Sequence, residues 1–225
     1  MVSIIRIYEG ADRKSPDGLW LRCWSEKKEG ARREHRTRAG MLWESVLRRC
    51  SPLGLEQNKH PTYLGCINKF SSFQEFAEWC NAQYGYMNTE ENGTFWKLDK
   101  DILIPGSKCY SSETCCFVPH YINCLLLTSD ATRGIYPLGV KKTIASKPFV
   151  ATARERKPIH LGYFQTPEEA HAAWQEAKAN IIRKAADGMP AESEKVCAAL
   201  HRIADFIDQQ REHGEVTTSL SVPLK

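Results

Sequence analysis

Pro137-Leu138-Gly139-Val140-Lys141-Lys142, Phe149-Val150-Ala151-Thr152-Ala153-Arg154, His160-Leu161-Gly162-Tyr163-Phe164 and Thr166-Pro167-Glu168-Glu169-Ala170 follow one another within residues 137–186. They read as three short strands and a helix. Apolar and polar residues alternate through Phe149–Arg154, which gives that strand one buried and one open face. The open face carries Arg154, with Arg156 and Lys157 just beyond, so one side of the sheet is expected to be basic. Thr166 suits a helix N-cap, Pro167 the first helical position, and Glu169 completes a capping box. Ala170, Ala173, Trp174, Ala177 and Ile181 then fall at helical spacing, a stripe that buries against the sheet and leaves Lys178 and Arg183 outside. The other sheet face stays free for a ligand. A sheet of this width fits the major groove of duplex DNA, where cationic side chains reach base edges and phosphates.

Composition agrees with a globular chain. With 225 residues, 42% hydrophobic and 26% charged, it accommodates one large or two small domains and is not predominantly disordered. The longest apolar run is far below membrane-span length, and Arg6 interrupts the N-terminal apolar stretch before a signal-peptide core is reached. An intracellular, cytoplasmic location with no membrane partner is expected. The nine cysteines include no C-x-x-C pair, and Cys109, Cys115, Cys116 and Cys124 match no zinc-finger or knuckle pattern, so reduced and mostly buried thiols are expected. The net charge of +4 is unevenly spread. Residues 1–50 carry twelve Lys/Arg against seven Asp/Glu and residues 137–186 nine against four, while the remainder is acidic. Two basic regions on an acidic background concentrate potential in the way a polyanion-binding protein requires.

Working outward, Val2–Tyr8 and Leu19–Trp24 have strand character and are expected to pair across the turn marked by Ser15-Pro16-Asp17-Gly18. Residues 26–38 hold six cations and few apolar groups, so they read as an exposed helix or extended arm in which no core forms. Met41–Cys50 reads as an amphipathic helix. Ser72 and Glu75 form a second capping box ahead of Phe73, Phe76, Trp79 and Cys80 on one helical face. Thr94–Leu98 reads as a strand and Pro119–Leu126 as a short helix. Beyond the quoted region, Val196, Leu200, Ile203 and Ile207 mark a helix ended by Gly214 that packs in cis or in a homodimer. From Thr217 onward a loose tail is expected. The resulting divisions are 1–40 (strands and basic arm), 41–130, 135–187, 190–214 (C-terminal helix) and 215–225 (tail).

The quoted stretch resembles the ethylene-response-factor (APETALA-type) DNA-binding domain, whose sequence runs as Gly-Val-Arg, an aromatic-Val-Ala strand, Leu-Gly-x-Phe, then Thr-x-Glu-Glu-Ala. Lys141 stands at the first Arg of that pattern and Arg154 at the arginine after the aromatic strand. Thr143 replaces a second Arg, and Phe149 and His160 stand where tryptophans are usual. The resemblance implies double-stranded DNA as partner, with Lys141, Lys142, Arg154, Arg156 and Lys157 as DNA-binding residues, but not the plant target site.

A second block, Leu98-Asp99-Lys100-Asp101 followed by Thr114-Cys115-Cys116-Phe117-Val118-Pro119-His120-Tyr121-Ile122-Asn123, resembles the ββα-metal unit of HNH endonucleases of the homing type. Asp99 stands at the family's Asp, Lys100 at its His, Thr114 at its first Asn and Asn123 at its last. Phage-encoded relatives often join such a unit to an ethylene-response-factor-like domain, which would place the chain in a host cytoplasm. The implied fold is α+β: a ββα-metal (HNH-like) domain with flanking helices at 41–130, then a three-stranded antiparallel sheet packed on one helix, then a C-terminal helix.

HNH cleavage needs a neutral histidine to deprotonate water and one divalent cation, Mg being the expected one, to stabilise the leaving oxygen. A lysine must lose roughly three pKa units to serve as a base near neutral pH. A threonine offers only a hydroxyl where an amide oxygen would bind metal. Two rescues exist: Asp101 shares a strand face with Asp99 and would complete a two-carboxylate metal site, and His120 would act as base from the following helix, against its simpler reading as a helix-terminal surface residue. Otherwise Lys100 is a phosphate contact. The expectation is therefore a sequence-dependent duplex-binding protein with cleavage left open. The alternatives are an active nicking endonuclease built on Asp99, Lys100 and His120, and a protein-interaction module for an acidic partner.

Overall fold

Thr37 starts the first long element of the computed structural model, which describes residues 6–7, 23–24, 37–51, 63–127 and 135–220. Its hydroxyl accepts the Gly40 N–H at 3.2 Å and caps helix α1 (Arg38–Cys50). Ahead of it, β1 (Arg6–Ile7) and β2 (Cys23–Trp24) pair antiparallel, as expected for the two N-terminal strands. The basic arm lies outside the described residues except for its end, and there the expectation fails. Arg38 is the first residue of α1, and its guanidinium lies over the rings of Phe95 (4.4 Å), Tyr86 (5.0 Å) and Phe117 (5.4 Å) while donating to the Trp96 carbonyl. Aromatic faces attract a cation without any carboxylate nearby, so a core forms around it.

Helix α1 buries Trp43 and Val46 against α2 (Phe73–Ala82), which buries Phe73, Phe76 and Cys80. Ser72 caps α2 by accepting the Glu75 N–H at 3.1 Å, but the Glu75 carboxylate reaches back to the backbone and hydroxyl of Ser71, one residue short of the reciprocal box expected. Rings continue the packing from Trp43 through Phe76 and Trp79 to Phe117. Gly85 sits in the left-handed region at φ 86°, where an added Cβ would lie 2.5 Å from the Trp96 ring.

Strand β3 (Ile67–Asn68) pairs parallel with β5 (Cys109–Tyr110), and β4 (Lys97–Asp99) pairs antiparallel with β6 (Cys116–Val118) as Lys97↔Val118 and Asp99↔Cys116. Pro119 then admits α3 (His120–Leu125). The third unit is an antiparallel sheet in the order β7 (Val140–Lys142), β8 (Phe149–Arg154), β9 (Pro158–Phe164), covered on one face by α4 (Pro167–Asp187). The Thr166–Glu169 capping box is present in full. Gly139 enters β7 at φ 78° directly beneath Trp174, whose ring leaves no room for a Cβ. Helix α5 (Glu194–Glu212) lies on the opposite side of α4 and buries Val196, Leu200, Ile203 and Ile207 in cis, so the apolar face that suggested a homodimer is covered within the chain.

Two further expectations are corrected. Lys178 is not outside: it is 5% exposed, and its ammonium donates to the Leu125 carbonyl at the end of α3. Helix α4 is flanked by sheet, α5 and α3, which leaves little of its circumference for solvent. The tail is not loose as far as residue 220. Thr217 is fully buried, its hydroxyl donating to Gln210 Oε1 at 2.7 Å and accepting from Gln175 Nε2 at 2.9 Å, while its N–H donates to His171 Nε2 at 3.0 Å. That bond leaves the His171 proton on Nδ1, which donates to the Leu138 carbonyl at 2.9 Å. Leu220 is also buried, in a core that runs unbroken from Ala39 and Trp43 through Phe117 and Leu138 to Ile203. Among the described residues eight cysteines are free, four of them buried, and no helix is long and apolar enough to cross a membrane.

Candidate nucleic-acid interface

The side of the β7–β8–β9 sheet turned away from α4 is the first candidate surface. On β8, Ala151 and Ala153 face inward, so Val150, Thr152 and Arg154 face outward. Cross-strand pairing places Lys141 and Tyr163 on either side of Val150, and His160 opposite Thr152. A register shift between Ala151 and Thr152 leaves Leu161 as an extra residue in β9, so His160 and Tyr163, three apart, share the outer face. Their rings touch at 4.9 Å, and Tyr163 is 49% exposed on the edge strand β9. Strict alternation would have put them on opposite sides; only the bulge unites them, and it leaves no plain signal in the sequence beyond Gly162, which takes φ 128°.

The five expected DNA-binding residues fall in three places. Lys141 and Arg154 are exposed on the outer face, whereas Lys142 is exposed but projects to the other side of its edge strand. Arg156 and Lys157 lie in the β8–β9 turn, and Arg156 is folded back with its guanidinium 4.7 Å from the Tyr121 ring of α3. Lys157 is exposed. No acidic residue occurs from Pro137 to Arg154, and Glu155, the first one, is engaged by Lys184 at 3.1 Å. The outer face is therefore cationic and carries hydroxyl, imidazole and phenol groups suited to base edges and phosphates.

The second candidate surface is a cleft of about 770 Å3 between α1, the turn after β4 and α3. Asp99, Lys100, Asp101, His120 and Asn123 all line it, whereas Thr114 does not. Their hydrogen bonds, however, run within the fold. Asp99 Oδ1 accepts the N–H groups of Asp101 (2.7 Å) and Ile102 (2.9 Å), closing the turn, and burial pushes its carboxyl pKa upward against those bonds. Lys100 is 5% exposed, and its ammonium donates to Asp101 Oδ1 and to the Ser107 carbonyl, each at 2.6 Å. An ammonium so placed is no phosphate contact. Thr114 is buried, donating to the Cys109 carbonyl at 2.7 Å and accepting from the Ser111 N–H at 3.1 Å. His120 is exposed in the first turn of α3, with Nε2 3.5 Å from Cys124 Sγ.

These donors do not fit a divalent cation. Hard cations such as Mg take about six oxygen ligands in a strict octahedron. Asp101 is neutralised by Lys100, and one oxygen of Asp99 holds two backbone N–H groups. Among the described residues no three His, Cys, Asp or Glu side chains converge as ion ligands. Two cations that are not among the expected site residues, Arg38 and Arg49, also line the cleft, the latter over Tyr63 at 4.8 Å and donating to the Tyr110 hydroxyl at 3.0 Å.

No family model, curated protein or solved structure matches this chain.

Proposed function

We propose that this chain binds double-stranded DNA through the outer face of β7–β8–β9 and does not cut it. The observation that carries the reading is the pairing of Lys141 and Arg154 with Thr152, His160 and Tyr163 on one open, acid-free sheet face whose reverse is buried on α4. In this reading the sheet and α4 form an ethylene-response-factor-like domain. The unit of β4, β6 and α3 is a degenerate HNH-like scaffold whose Lys100 ammonium stands as an internal cation. The engagement of Asp99, Lys100 and Thr114 within the fold supports the loss of cleavage.

A nicking reading retains one favourable observation, the presence of His120 and Asn123 in the same cleft as Asp99. Incubation of purified protein with supercoiled plasmid and Mg²⁺ or Mn²⁺ separates the two. The expected result is no open-circular product at any pH; metal-dependent nicking abolished by Asp99→Ala would establish the nuclease instead. Recognition is tested by electrophoretic shift with Arg154→Ala. If Arg154 reads a guanine edge, the change costs about 1–3 kcal/mol and relaxes specificity at one position. If it contacts a phosphate, binding weakens uniformly across sequences and the salt slope flattens by about one unit.

A further inference from the structure

The loop joining β7 to β8 is built to push one aliphatic side chain into solvent. The Thr143 N–H donates to the Pro148 carbonyl at 2.7 Å and closes the loop, and the Thr143 hydroxyl accepts the Ala145 N–H at 3.3 Å, pinning the turn from inside. Between these two bonds stands Ile144, with a relative exposure of 108%. A β-branched residue gains nothing from a tight turn, where Asn, Asp, Gly or Ser serve better, and here it gains no burial either. Of the other exposed aliphatic residues, Leu64, Leu127 and Ile135 lie near segments outside the described residues, and Ile67, Val216 and Ile159 are far less exposed, at 51%, 44% and 38%; Ile144 lies in a loop described throughout.

Its surroundings select the partner. Lys141, Lys142 and Lys147 flank it, all exposed and in no ion pair among the described residues. An apolar tip with cations on both sides of it in the chain fits a polyanion that holds apolar surface behind its charges. Duplex DNA has that layering, with phosphates outside and base steps and thymine methyls within, and apolar side chains such as Ile are used elsewhere as wedges at base steps. An anionic bilayer has it too, but the adjoining outer face presents Thr152, His160, Tyr163 and Arg154, hydrogen-bonding groups aimed at base edges and phosphates rather than at acyl chains.

We infer that Ile144 is a base-contacting tip that reaches past the phosphates held by its flanking lysines and adds an apolar, salt-independent increment to duplex affinity. The inference rests on the duplex-binding reading and extends it from the sheet face to the hairpin end. Ile144→Ser removes the apolar tip without disturbing packing, since the side chain contacts solvent only, and far-UV circular dichroism together with melting temperature should stay as in the native chain.

The experiment is a fluorescence-anisotropy titration of a short mixed-sequence duplex across a series of salt concentrations, run beside co-sedimentation with phosphatidylserine-containing vesicles. Ile144→Ser should weaken duplex binding about ten-fold at every salt concentration and leave the log–log slope unchanged. Lys147→Ala should flatten that slope by about one unit. Equal affinity of native chain and Ile144→Ser overturns the tip while leaving the sheet-face reading in place. Absence of duplex binding by the native chain removes both. Vesicle binding lost in Ile144→Ser, with duplex ignored, assigns the tip to a membrane surface and overturns the inference.

Discussion

Lys178 lies where a sequence pattern reads solvent, because helical spacing shows which face meets the sheet but not that α5 and α3 occupy two further sides of the same helix. Burial lowers its pKa from 10.5 to about 8. The sign follows: between about pH 8 and 10.5 the unfolded chain binds the proton that the folded chain has released, so this residue's contribution to stability rises with pH across that window and is flat below it. Buried thiols and phenols act in the opposite sense there, Cys50 being pushed by burial to about 12. The comparison must therefore be made against Lys178→Met. In chemical denaturation at stepped pH, the native chain should gain on Lys178→Met by an amount on the order of 3 kcal/mol from pH 8 to 10.5; parallel profiles would contradict the burial. At Gly139, positive φ and the Trp174 ring both forbid a side chain. Gly139→Ala should lower stability by about 2–4 kcal/mol, read as a reduced denaturant midpoint at unchanged slope.

At the scale of elements, much was legible. The three strands and helix of residues 137–187 follow from alternation, the capping box and the Ala170–Ile181 stripe, and each forms where those local signals place it. The face of β8 was readable from parity alone. The face of β9 was not, since one extra residue, Leu161, reverses parity between His160 and Tyr163, and a bulge is set by pairing rather than by propensity. The hydrogen bonding of the Asp99–Asp101 turn is hidden from the sequence for a related reason. A motif fixes which residues sit near one another, but hydrogen bonds such as Asp99 to the Asp101 and Ile102 N–H groups, or Lys100 to Ser107, depend on how the following turn closes. The start of the tail carries no periodicity because hydrogen bonds at Glu215 and Thr217, not a repeating apolar stripe, hold it. Thr217→Val would leave Gln175 and Gln210 without that hydroxyl, at a cost of about 1–3 kcal/mol in equilibrium unfolding.

Across the whole molecule, the two basic regions of the sequence meet different fates. The C-terminal one forms an open sheet face, while within the described part of the N-terminal one Arg38 and Arg49 turn onto aromatic rings. The units that carry the two motifs are joined by a single buried cluster, by Lys178 to Leu125 and by Arg156 over Tyr121, and α5 adds the bond from Arg202 to the Leu103 carbonyl. Residues 37–220 should therefore unfold in one transition, with tryptophan fluorescence and far-UV circular dichroism giving coincident curves; separated midpoints would mean two independently stable units. The central claim concerns the outer sheet face, and it is tested most directly by duplex binding as a function of salt for the native chain and for the double variant Lys141→Ala/Arg154→Ala. The account predicts tight binding at low ionic strength that falls steeply with salt, and a log–log slope reduced by about two units in the double variant while its melting temperature is kept. A native chain that leaves duplex free at the lowest ionic strength, or a double variant with an unchanged slope and affinity, would contradict it.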